Sequence, residues 1–244
     1  MLLLQIVRGL LTLALAPILT FFVSALSLID LLWIRKSEIK VQVFPRYWGR
    51  LLCLLAGVRV TVEGIDNIDP QQTYIFAGNH CSQYDIFSFQ GYFPHDFRWI
   101  AKKELFNIPL LGQAMRQVGY ISIDRSHGRQ ALKSLDEAAQ QIAAGTSVLI
   151  FPEGTRSADG LLHEFKTGAV LLAIKAGVPI VPISFNGSYE VLPKGKLLPK
   201  SGHITIRVGP AIPIAHCKAG DKQNLAQNLH AAVEKLLEER YVQK

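Results

Sequence analysis

Tyr74-Ile75-Phe76-Ala77-Gly78-Asn79-His80-Cys81-Ser82-Gln83-Tyr84-Asp85 reads as a strand that ends in a turn and opens a helix. The apolar run ends at Ala77, and Gly78 loosens the backbone just before a histidine. His80 and Asp85 are five positions apart. On one continuous helix that spacing rotates a side chain by about 140° and raises it about 7.5 Å, which separates the two groups. They meet only if His80 lies in the turn and Asp85 in the first helical turn, with Ser82 suited to be the N-cap. Asp85 then orients the imidazole, and the other ring nitrogen is left to take a proton from a hydroxyl. The same four residues, Ser82 to Asp85, also fit a capping pattern in which Asp85 merely stabilises the helix start.

Outward from this stretch, the chain alternates apolar strands with helical patterns, which implies an α/β domain. Strands are expected over 58–62, 74–77, 97–100, 120–123, 147–151, 180–184 and 204–208, and helices over 129–143, 167–176 and 224–239. Leu225, Leu229, Val233 and Leu236 repeat at helical spacing in the last of these, a stripe for core packing. Repeats, low-complexity tracts and long linkers are not apparent.

The N-terminal segment is different. No charged residue occurs from Gly9 to Ile29, a run long enough to cross a bilayer as a helix of about 20 residues. It has no clear basic start and no convincing small-residue cleavage site, which argues against a signal peptide. A spanning helix and a hairpin dipping into one leaflet both remain, because Pro17 interrupts the run. Residues 44–58 mix Arg46, Tyr47, Trp48 and Arg50 with leucines, which suits a membrane interface or a buried helix of the main domain. Arg35, Lys36 and Lys40 follow the apolar run and favour the cytoplasmic side, the inner membrane if the source is bacterial. The boundary is expected near residue 56, with a membrane-anchoring segment over 1–56 and a catalytic domain over 57–244.

Hydrophobic residues make up 49% of the 244, and the net charge is +7. The basic residues are scattered and no nucleic-acid motif accompanies them, so nucleic acid is not the expected partner. Cys53, Cys81 and Cys217 are odd in number and far apart, which supports neither a disulfide framework nor a zinc site.

Two further segments carry candidate chemistry. Gly119-Tyr120-Ile121-Ser122-Ile123-Asp124-Arg125 places Arg125 just past a strand end, where open α/β sheets bind ligands, and Lys102 follows a neighbouring strand. An arginine there can grip a phosphate through two parallel hydrogen bonds; a surface Asp124–Arg125 pair is the plainer alternative. Phe151-Pro152-Glu153-Gly154-Thr155-Arg156-Ser157 ends a strand at a proline and clusters hydroxyls, a flexible glycine and a guanidinium, which suits an anion cradle. A turn held by a Glu153–Arg156 ion pair would account for the turn but not for the clustered donors. The loop 186–202 mixes Lys194, Lys196 and Lys200 with Leu192, Leu197 and Leu198. It could rest on a bilayer, touch ligand or be an ordinary solvated loop.

Taken in order, these segments resemble the 1-acylglycerol-3-phosphate acyltransferase family of glycerolipid synthesis. His80 through Asp85 looks like the family's first motif, Gly119 through Arg125 the second, Phe151 through Ser157 the third and Val181-Pro182-Ile183 the fourth. The resemblance implies an α/β fold with a mixed central sheet of about seven strands flanked by helices, behind an N-terminal membrane-embedded helical segment. It implies transfer of a fatty acyl group from acyl-CoA or acyl carrier protein to lysophosphatidic acid, giving phosphatidic acid, at a surface of membrane phospholipids. His80 would be the general base and Asp85 its orienting partner. Arg125 would hold the acceptor phosphate, helped by Lys102 and by Glu153, Gly154, Thr155 and Arg156. Glu153, being anionic, would position hydroxyls or the arginine, and Pro182 would shape the acyl-chain side. A thioester is already activated, so neither metal nor cofactor is expected. Glycerol 3-phosphate, another lysophospholipid or a lyso-aminolipid are alternative acceptors, and a non-catalytic lipid-binding protein is the reading from another class. Cys81 as an acyl-enzyme nucleophile is the rival mechanism; helical rotation of about 100° per residue would turn it from His80.

Overall fold

Ile75 and Phe76 are neighbours in the chain, and both are fully buried. Successive strand residues point to opposite faces, so this strand has a core on each side, as parallel sheets covered on both faces require. The computed structural model describes residues 2–29, 42–124 and 129–242. Its elements run α1 (Leu2–Ile29), α2 (Val43–Ala56), β1 (Val58–Glu63), β2 (Ile75–Gly78), α3 (Tyr84–Tyr92), β3 (Arg98–Lys102), α4 (Leu111–Gln117) and β4 (Ile121–Ile123). Then come α5 (Arg129–Ala143), β5 (Val148–Ile150), α6 (Gly168–Ala176), β6 (Ile180–Asn186), the single turn α7 (Ser188–Val191), β7 (Gly202–Val208) and α8 (Lys222–Glu234).

The strands form one sheet in the order β1-β7-β6-β2-β5-β3-β4. Every neighbouring pair is parallel except β6 with β7. Hence β2 to β6 all run one way, and their C-terminal ends share one sheet edge. Ligands of open α/β sheets bind at such an edge. On one face Ile75, Ile142, Val148, Leu172, Ile180 and Leu229 pack together beneath α5, α6 and α8. On the other, Phe76, Phe89, Phe93, Leu149, Val181 and Ile204 pack with Cys53 beneath α2 and α3.

Helices α2 and α3 cross at a glycine contact. A Cβ added to Gly49 would lie 2.6 Å from the Phe87 carbonyl oxygen, and one added to Gly91 would lie 2.7 Å from the Arg50 nitrogen. Arg50 Nε also donates to the Gly91 carbonyl at 2.7 Å. The opposite side of α2 leaves Tyr47, Leu51 and Leu54 exposed.

Helix α1 has its polarity reversed relative to a helix on a soluble domain. Its polar residues face protein: Gln5 Nε2 donates to Ser201 Oγ, Trp48 Nε1 donates to Thr20 Oγ1, and Thr12, Ser24 and Ser27 are buried. Its outer face is Leu3, Leu4, Ile6, Val7, Leu10, Leu11, Leu13, Ile18, Phe21, Phe22, Leu26 and Ile29, all exposed. At 28 residues it is about 42 Å long, more than the roughly 30 Å hydrocarbon core of a bilayer.

The last helix is shorter than its apolar stripe predicts and stops at Glu234. The Leu236 carbonyl is taken by Ser184 Oγ, Asn186 Nδ2 and Arg207, and the Glu238 amide donates to Asn186 Oδ1. These tertiary hydrogen bonds draw the backbone out of helical pairing.

Candidate active site

His80 leaves the C-terminal end of β2, whose last turn is fixed from the side by Asn79. Asn79 Nδ2 donates to the Phe185 carbonyl at 3.1 Å, and the Phe185 amide donates to Asn79 Oδ1 at 2.8 Å. The His80 backbone is then held between two parts of the adjacent β5 loop. Its amide donates to Glu153 Oε1 at 2.7 Å, and its carbonyl accepts the Ser157 amide at 2.7 Å. Phe151 stacks on the imidazole at 3.9 Å between centroids and 8° between planes.

Asp85 lies in the first turn of α3 and has no exposed surface. Its Oδ2 accepts from His80 Nδ1 at 2.8 Å and from the amides of Cys81 at 2.9 Å and Ser82 at 2.8 Å. A carboxylate only accepts, so Nδ1 carries the proton and Nε2 carries the lone pair. The His80 side chain is 13% exposed. Turn and helix are therefore arranged as the five-residue spacing requires. The capping detail differs from expectation: Gln83 is the N-cap, while Ser82 Oγ accepts the Tyr84 amide and donates to the Leu192 carbonyl.

The amides of His80, Cys81, Ser82 and Tyr84 all donate within the protein. They are committed and are not waiting for an oxyanion. Cys81 is 2% exposed, with Sγ 3.2 Å from Ser188 Oγ. Burial, reinforced by the Asp85 charge, pushes its thiol well above the ordinary range. That disfavours it as a nucleophile, and it does so by burial and not by helical rotation, since Cys81 precedes the helix.

Glu153 does not turn to Arg156 but to the His80 amide. It is 6% exposed, and Oε2 makes no hydrogen bond. Burial first, and the Asp85 charge after the opposing bond from the His80 amide, push its carboxyl up to about 8. Gly154 sits at φ +78°, where only glycine is unstrained, with Lys166 Nζ over it. Lys194 Nζ donates to the Arg156 carbonyl at 2.7 Å and to Thr155 Oγ1 at 3.4 Å.

His80 is thus bonded to both Asp85 and Glu153, and Gly154, Thr155 and Arg156 continue the Glu153 loop. Lys102 is exposed at the end of β3, which lies beyond β5 from β2, at about 10 Å by strand spacing. It stands in register with Ile123, the last residue of β4. Arg125 lies outside the described residues. Pro182 lies inside β6 opposite Ala77, close against Gly209. Lys166 and Lys194 are the basic side chains that sequence reasoning did not assign to this loop; Lys166 is ten residues downstream of Arg156 and carries no local signal. Among the described residues no group of acidic, histidine or cysteine side chains is disposed to hold a metal.

Residues 59–186 match the family described as Acyltransferase. The chain is 38% identical over 157 residues to a 1-acyl-sn-glycerol-3-phosphate acyltransferase of Chlamydomonas reinhardtii, a match covering 64% of this chain and 47% of that protein. It is 35% identical over 173 residues to one from Pseudomonas aeruginosa, covering 70% of this chain and 66% of that protein. The match therefore spans about half the length of the algal relative and about two thirds of the bacterial one. Among solved structures, the 1-acyl-sn-glycerophosphate (LPA) acyltransferase PlsC of Thermotoga maritima aligns with a TM-score of 0.78 at 26% identity, over 95% of this chain and 97% of that one.

Proposed function

The chain belongs to the Acyltransferase family, and from that premise we propose that it moves a fatty acyl group from acyl-CoA or acyl carrier protein to the sn-2 hydroxyl of 1-acylglycerol 3-phosphate, giving phosphatidic acid. The relatives' names and the likeness to the Thermotoga structure support that acceptor. The observation that carries the chemistry is the 2.8 Å contact between His80 Nδ1 and a fully buried Asp85.

In this reading His80 Nε2 takes the proton of the acceptor hydroxyl as its oxygen attacks the thioester carbonyl. The C–S bond then breaks, and the departing sulfur receives that proton from the imidazolium. Asp85 holds the ring and offsets its transient charge. A general base of this kind is worth about 10²–10⁴ in rate. Arg156, with Lys102 and Arg125, is assigned to the acceptor phosphate, Gly154 and Thr155 to close approach and hydroxyl donation, Glu153 to setting the His80 backbone, and Pro182 to the acyl-chain side. The reversed polarity of α1 supports membrane attachment through residues 1–56, and the basic residues Arg35, Lys36 and Lys40 assign the catalytic domain to the cytoplasmic face.

The test is formation of phosphatidic acid by purified protein in detergent. Each donor is offered with lysophosphatidic acid, glycerol 3-phosphate and other lysolipids in turn. Acylation of lysophosphatidic acid alone supports the reading. Acylation of another acceptor in preference overturns the substrate, and no acylation at all overturns catalysis.

A further inference from the structure

The loop over residues 192–201 is tied to three places at once. At its start, Ser82 Oγ donates to the Leu192 carbonyl, and Ser82 forms a β-bridge with Pro193. Next, Lys194 donates to Thr155 and Arg156. At its end it lies on α1: a Cβ on Gly9 would meet the Pro199 oxygen at 3.0 Å and the Leu198 side chain at 3.5 Å, and Gln5 bonds Ser201. Between these anchors the loop turns apolar and basic groups outward together. Leu197 is 70% exposed and Leu198 40%, and Lys194, Lys196 and Lys200 are exposed.

A leucine exposed to that degree on a loop adds nothing to the core, and its place matters more than its type. Its neighbours Leu198 and Pro199 lie against Gly9 of the helix whose outward face is apolar over its whole length. Three lysines within seven residues supply charge of the sign that an anionic lipid surface attracts.

We propose that residues 192–201 form a second membrane-contact element beside α1, with Leu197 entering the bilayer interface and Lys196 and Lys200 meeting anionic headgroups. The proposal rests on the membrane seating of α1 put forward above, and not on the acyl-transfer chemistry. Because the same loop bonds both the His80 turn and the Thr155–Arg156 loop, the bilayer surface then lies at the mouth of the site, where a lipid acceptor arrives.

The experiment uses the full chain with Cys217→Ser, since Cys53 and Cys81 are buried. An environment-sensitive fluorophore is attached in turn to Leu197→Cys, to Leu10→Cys on α1, and to Gln140→Cys on α5, which covers the opposite sheet face. Vesicles are made of phosphatidylcholine, with or without phosphatidylglycerol. The proposal predicts a blue shift, with quenching by lipid-borne spin labels, at positions 197 and 10 and neither at 140. It further predicts that K196A/K200A raises the anionic lipid concentration for half-maximal response at 197 by about 25-fold, about fivefold per lysine. A water-like signal at 197 while position 10 responds overturns the proposal, as does silence at both. A response at 197 that ignores phosphatidylglycerol and the two lysines overturns the headgroup contact. Turnover enters neither readout, so protein that seats but does not acylate separates this proposal from the enzymatic one.

Discussion

Asp85→Asn separates charge from geometry at the proposed catalytic pair. In the native site Oδ2 alone accepts three donors, while Oδ1 is buried with no partner. An asparagine whose oxygen takes the Oδ2 place keeps all three acceptor contacts and puts its NH2 in the unpartnered Oδ1 place. The flipped asparagine would instead set its NH2 against two backbone amides. The unflipped form is therefore favoured, His80 keeps its tautomer, and what is lost is the negative charge facing the imidazolium. Two unit charges about 4 Å apart at an effective dielectric of about 20 interact by about 4 kcal/mol. At 1.36 kcal/mol per decade, kcat should fall about 10³-fold. Phosphatidic acid formation at saturating substrates, followed by mass spectrometry, measures this without interference from the three free thiols. Thermal unfolding in the same detergent confirms the fold. A folded variant that loses less than tenfold would refute the claim that Asp85 acts through its charge.

Glu153→Gln tests the raised carboxyl. A group whose folded pKa of about 8 exceeds its ordinary 4.5 contributes stability that is complete below about pH 4.5 and is lost as pH rises toward 8. That loss is on the order of 5 kcal/mol over the window, so the glutamine variant, which still accepts the His80 amide, should match wild type near pH 4.5 and unfold at higher temperature at pH 8. Parallel melting curves across that range would contradict it. Cys81→Ala should keep kcat within about threefold, whereas loss of turnover in folded protein would revive the thiol nucleophile. Gly49→Ala should cost about 1–3 kcal/mol by overpacking the α2–α3 contact, where the new methyl meets backbone oxygen at 2.6 Å; an unchanged melting temperature would show that the helices part freely.

Much of the frame was legible because its strands are buried on both faces. Apolar runs at 74–77, 147–151 and 180–184 fall within two residues of β2, β5 and β6 at either end. Spacing set the condition for a His80–Asp85 contact, since five residues cannot meet on a helix but can across a turn, and it left the capping reading open until the fold showed the 2.8 Å bond. Other features depend on contacts distant in sequence. The early stop of α8 comes from β6 side chains and Arg207, which bond to Leu236 and Glu238. Ser82 looked like a cap, yet its hydroxyl also serves Leu192, 110 residues away. The apolarity of α1 was plain, but the stripe that packs, from Gln5 to Ser27, emerges only against Ser201, Trp48 and the 198–199 turn. Lys194 was visible as one lysine among several in a loop, and only the fold carries it to Thr155 and Arg156. The reversal of β1 and β7 against the other strands leaves no mark in their apolar patterns.

In the proposed reaction the His80 imidazole takes the acceptor's proton. The direct test of that step is acylation of lysophosphatidic acid by His80→Ala, purified in the same detergent and shown to melt cooperatively like wild type. The expected result is a loss of at least about 10²-fold in kcat with either donor. Turnover within threefold of wild type would contradict it.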